Sequence, residues 1–198
     1  MTPAPKEVLV AERFPAQAAT GCAPRRSAGV RFFGCRRGAA AIEFALVATP
    51  LFALLIGILQ IGVVFLAQQQ LETAVEKSAR TVLTGSAQKS GLTQAQFASA
   101  LCANLTVLFS CSQVMVDLRS ASAFSAADTS APTLTYDASG NVTNSWSFDM
   151  GSAGAVMVLR VMYQFPVVGG PLNVSLANLG NGKRLLMATA VFQVEPYS

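Results

Sequence analysis

A single carboxylate stands where an uncharged stretch begins. In Ala39-Ala40-Ala41-Ile42-Glu43-Phe44, Glu43 precedes 24 consecutive residues, Phe44 to Ala67, that carry no charge and only two clearly polar side chains, Thr49 and Gln60. An ionised carboxylate at the edge of a low-dielectric phase is costly unless it is paired or protonated, which makes Glu43 a candidate for a working charge. Its position fits a solvated, idle carboxylate among lipid headgroups equally well. If the chain were cut between Gly38 and Ala39, the new ammonium of Ala39 would lie four residues before Glu43 on the same helical face and supply a partner. The amine of a neighbouring subunit could serve in the same way.

Other chemistry is narrowly bounded. The 198 residues include no histidine, which removes the commonest general base, the Ser-His-Asp and Cys-His dyads, the HExxH site and the Cys/His zinc site. Gly180-Asn181-Gly182-Lys183 has the look of a phosphate loop, but Ala177 stands where its first glycine should be and Arg184 replaces the Ser/Thr that would hold a metal. Glu72 and Glu76 lie one helical turn apart beside Lys77 and Arg80 and read as a solvated charged face. No catalytic residue, metal site, cofactor or small-molecule substrate is expected. Cys102 and Cys111 lack CxxC spacing, and with no further Cys or His they complete no metal site; on an exported domain they are expected to form a disulfide.

The elements that must position Glu43 follow from charge and hydropathy. Residues 1–38 hold seven Lys/Arg (Lys6, Arg13, Arg25, Arg26, Arg31, Arg36, Arg37) against Glu7 and Glu12, while the remainder is near neutral. The basic pI therefore reflects a leader rather than a nucleic-acid surface. As a helix, Phe44 to Ala67 would extend ~36 Å, enough to cross the hydrocarbon core of a bilayer. Five arginines precede it without an acid, and the charges after it cancel, so the N-terminus is expected in the cytoplasm and the rest is expected to be exported. Phe65-Leu66-Ala67 places a bulky residue where a signal-peptide cleavage site needs a small one. Ala19-Thr20-Gly21-Cys22 precedes the apolar stretch instead of following it, which sets aside a lipoprotein.

On these residues the chain resembles a known family. Gly38, followed by Ala39-Ala40-Ala41-Ile42-Glu43-Phe44 and a long apolar helix, is similar to the processing site of type IV prepilins. The run GAAAIEFALVATPLFALLIGILQIGVVFLAQQQLETAVEKSAR resembles the TadE-like minor pseudopilins of the bacterial tight-adherence (Flp) pilus. Its specific elements are Gly38, Glu43, Phe44, Pro50 and the alanine-rich exit helix ending at Ala79-Arg80; VMYQFPVVGGPL and LLMATAVFQVEPY are looser likenesses. The resemblance implies cleavage after Gly38 by a prepilin peptidase of the inner membrane, a role for Glu43 and Phe44 in assembly, and other pseudopilins and pilus assembly proteins as partners. Ala39 departs from the Phe with which true pilins often begin, and the leader is long; a start near Val30 would give a compact one. The competing reading is an unprocessed single-span membrane anchor carrying a periplasmic binding or scaffolding domain, which needs neither Gly38 nor Glu43.

The expected organisation is a basic cytoplasmic leader (1–38), a transmembrane helix (39–67) and a periplasmic domain (68–198) of the α+β class. Ala67, Leu71, Ala74, Val75, Ser78, Ala79, Val82 and Leu83 repeat at helical spacing, which carries the helix to about Thr84 and stops it at Gly85. Thr93 to Gln96 has the pattern of a capping box, opening a second helix with Phe97, Ala100, Leu101, Leu105 and Leu108 on one face. Strands are expected at Val114–Leu118, Ala155–Phe165 and Arg184–Glu195, with a hairpin joining Thr133–Tyr136 to Val142–Phe148. The long strands would form an antiparallel sheet covered by the exit helix, the general shape of a pilin.

Overall fold

The computed structural model of the chain describes residues 36–105, 107–167, 169 and 175–197, with side chains described from Ala40 onward. Residues 1–35 of the expected leader, Cys22 among them, lie outside the described residues. The chain divides into two compact units, Met1–Phe44 and Ala45–Ser198. In the first, the described residues from Arg36 onward are helical.

The helix α1 runs over Arg36–Leu83. Pro50 lies inside it and has no N–H for the Leu46 carbonyl. Large apolar side chains from Ile42 to Leu66 are exposed, whereas Val64, Ala67, Leu71, Ala74, Val75, Ala79 and Val82 form a buried stripe. Gly85, at φ +73°, ends the helical run, and the tail closes over it. Glu195 N donates to the Leu83 carbonyl at 2.8 Å, and a Cβ at Gly85 would run into the Tyr197 ring. A short helix, α2 (Ser86–Ser90), follows.

Helix α3 (Gln94–Cys102) opens with the full capping box expected of Thr93 and Gln96. It stops six residues before Leu108, the last apolar position assigned to it from sequence. The chain then turns back, so that the Cα atoms of Cys102 and Cys111 are 5.7 Å apart across their disulfide. Leu105 and Leu108 still pack on the core, from the turn instead of the helix.

Strands β1 (Met115–Ala121), β2 (Val156–Pro166) and β3 (Lys183–Gln193) form an antiparallel sheet in the order β1-β2-β3. Alternation along β2 divides its two faces. Met157, Leu159, Val161, Tyr163 and Phe165 join the core with the α1 stripe and with Phe97 and Leu101 of α3. Phe109 lies edge-on to Tyr163, ring centroids 4.9 Å apart. The expected α+β architecture is therefore present: a long apolar helix, then a small domain with further helix and a three-stranded sheet. The hairpin is shorter than expected, reduced to one bridge, Tyr136 to Val142, with Thr143 N bonded to the Thr135 carbonyl. Val142, Trp146 and Phe148 nevertheless alternate as half-buried side chains with exposed polar neighbours. Phe148 instead bridges in parallel to Leu118.

Candidate functional site

Gly38 and Ala39 lie in the opening turns of α1, and Glu43 and Phe44 follow on the same helix, both exposed. Among the described residues Glu43 forms no ion pair. Beyond it, the helix over Ala40–Leu83 is long and apolar enough to cross a membrane. Glu72 accepts hydrogen bonds from Gln68 Nε2 and Gln69 Nε2 (2.8 and 3.2 Å), while Gln68 also donates to the Met187 carbonyl of β3. That acid thus helps to tie the helix to the sheet. Gly180 to Lys183 form a turn that leads into a strand, with Gly182 at φ +75°, not the strand-to-helix cradle of a phosphate loop.

Cys102 and Cys111 are joined as expected. A second covered feature was not anticipated. Asp117 of β1 is opposite Arg160 of β2, and both are buried. Arg160 Nη2 and Nε donate to Asp117 Oδ2 at 2.6 and 3.1 Å. Asp117 Oδ1 accepts from Arg119 Nε and from Ser147 N, each at 2.9 Å. Arg160 Nη1 reaches outward to Asp128 Oδ2 and the Ser130 carbonyl (3.3 and 3.2 Å). One guanidinium therefore clips the segment joining β1 to β2 onto the sheet face turned away from α1. A sequence signal existed: each charge interrupts an apolar strand, in Met-Val-Asp-Leu-Arg and Val-Met-Val-Leu-Arg-Val-Met.

The comparisons with known proteins bear on the helix. Residues 38–80 match the family model of TadE-like proteins. This segment is TadE-like. The match opens on Gly38 and closes on Arg80, so it falls wholly within α1 and leaves the sheet domain outside it. Neither the curated proteins nor the solved structures yield a match. The match is consistent with a protein of the tight-adherence pilus, and the TadE-like helix is the element on which a functional reading must rest. Among the described residues no group of three or more His, Cys, Asp or Glu could hold a metal ion.

The head that follows the TadE-like helix should be acid-sensitive. Burial pushes the Asp117 carboxyl up, but hydrogen bonds from Arg160, Arg119 and Ser147 N outweigh it and leave the group below its ordinary value of 3.8. Asp149 is lowered as well, chiefly by the Gly151 N–H and then by the Ser120 hydroxyl. A carboxylate with a depressed folded pKa adds stability above its unfolded pKa and loses it as pH falls through the folded value. Denaturation of the solubilised protein, followed by Trp146 fluorescence, should show a midpoint insensitive to these groups until pH nears 3.8, then a progressive fall.

Proposed function

We propose that the chain is a minor pseudopilin of a tight-adherence (Flp-type) pilus, anchored in the bacterial inner membrane with its head in the periplasm. A prepilin peptidase removes the basic leader after Gly38, and the protein then acts by assembly with other pseudopilins. The observation that carries this reading is the extent of the TadE-like match, which begins on Gly38 and covers the helix that follows. The exposure of apolar side chains from Ile42 to Leu66 supports a lipid-facing helix over roughly the first half of α1. Basic residues before Gly38 keep that end in the cytoplasm.

In this reading, cleavage changes the electrostatics of the helix start. The uncut chain has a lone carboxylate at Glu43; the cut chain gains an ammonium four residues earlier. Paired within one subunit or between two, these charges favour one helix-to-helix register at the membrane edge. Losing one partner of a poorly solvated pair costs about 3 kcal/mol or more, so Glu43→Gln should leave cleavage intact and lower surface pili on the order of a hundredfold. The check is immunoblotting of leader removal beside pilus counts in cells lacking the native protein. Normal piliation in that variant would remove Glu43 from the mechanism.

A further inference from the structure

Where α1 passes from exposure on all sides to packing on the sheet, a cleft of about 240 Å³ opens between it and the start of β3. Ile61, Phe65, Leu176 and Leu185 help to wall it, and Arg184 is its one cation. Ile61 is 55% exposed and Phe65 66%, whereas Val64 between them is buried. The cleft is thus continuous with the apolar surface of the helix. Arg184 Nη1 donates to the Leu176 carbonyl at 3.0 Å, which holds the guanidinium against these walls. Among the described residues no carboxylate pairs with Arg184 or with its neighbour Lys183.

We propose that this cleft binds an anionic phospholipid, with the phosphate on Arg184 and an acyl chain along Ile61, Phe65 and Leu185. The inference rests on the reading of α1 as a membrane-spanning helix, whose outer end it would mark. A guanidinium with its stem on apolar side chains and its head at the level of the headgroups is the arrangement in which arginine is stable beside lipid. A second copy is the poorer occupant. Its span carries no charge from Phe44 to Ala67, so packing that helix here would cover Arg184 without a counter-charge. With no carboxylate paired to it among the described residues, Arg184 favours a lipid of net negative charge.

The test uses the full chain reconstituted in phosphatidylcholine vesicles containing increasing fractions of brominated phosphatidylglycerol. Leu176→Trp, in a Trp146→Phe background that leaves it the sole tryptophan, should be quenched. Adding Arg184→Gln should raise the lipid fraction needed for half-quenching roughly fivefold, the loss expected for one cation at an anionic surface, and Arg184→Lys should restore most of it. Leu55→Trp in the same background reports the spanning helix separately. If Leu55→Trp is not quenched, the membrane reading itself fails and the lipid site with it. Quenching at Leu55→Trp with none at Leu176→Trp overturns the lipid site alone. So does a Leu176→Trp signal that follows protein density and not lipid composition, which would assign the cleft to a second copy. Should the Trp146 background not fold, a photoactivatable phosphatidylglycerol on the unaltered chain gives the same decision. Labelling of a peptide containing residues 184–186 supports the site, and its absence beside labelled α1 contradicts it.

Discussion

Replacing Asp117 with alanine is expected to destabilise the head by about 3 kcal/mol, because the change leaves Arg160 covered and without its main partner. The lower end of the usual range for broken buried pairs applies here. The outer members of the cluster, Arg119 and Asp128, have side chains 51% and 67% exposed, so water lies close by. Four donors would lose their acceptor at once: Arg160 Nη2 and Nε, Arg119 Nε and the Ser147 N–H. The segment joining β1 to β2 should then loosen, since Arg160 is also its tie to Asp128 and Ser130. Denaturant unfolding should show the lower midpoint, and limited proteolysis should show earlier cleavage between residues 122 and 150. Replacing both partners, Asp117→Leu with Arg160→Met, should recover much of the loss, because no unpaired charge remains. A single variant as stable as the parent would mean that the cluster is solvated and holds nothing in place.

The second large effect is expected at the disulfide. Cys102 and Cys111 close a short loop, and in the chain-entropy account a cross-link of that length stabilises by about 2.5 kcal/mol. Removing it should do more than relax the unfolded chain. The bridge stands where α3 ends and the chain turns toward β1, and Leu105, Leu108 and Phe109 within the loop pack on the core. The double variant Cys102→Ala/Cys111→Ala should lose that stability in denaturant titrations, and a reductant should bring the unaltered protein to a similar midpoint. A midpoint unmoved by both treatments would mean that packing alone fixes this turn.

Much of the architecture was legible because its signals are local. The α1 stripe, the capping box at Thr93 and Gln96, and the Val- and Met-rich strands each declare themselves within a dozen residues. The end of α3 is not legible because Leu105 and Leu108 keep helical spacing while they pack on the core from the turn that follows it. The Asp117–Arg160 pair was missed for another reason. Its meaning depends on the register of β1 against β2, a pairing across more than forty residues that no local pattern contains. Arg184 likewise reads as an ordinary strand-opening cation until the fold lays it beside Phe65. At the helix start, sequence and family match carry the reading, since the significance of Gly38, Ala39 and Glu43 lies in a reaction and an assembly beyond the single chain.

The most direct test of the pseudopilin account is the N-terminal sequence and intact mass of the membrane-bound protein, made with and without a co-expressed prepilin peptidase. The expected result is a chain beginning at Ala39 only when the peptidase is present, with Gly38→Phe left uncut. A full-length chain in both samples, from cells in which the same peptidase cleaves another prepilin, would contradict processing and leave an uncleaved membrane anchor in its place.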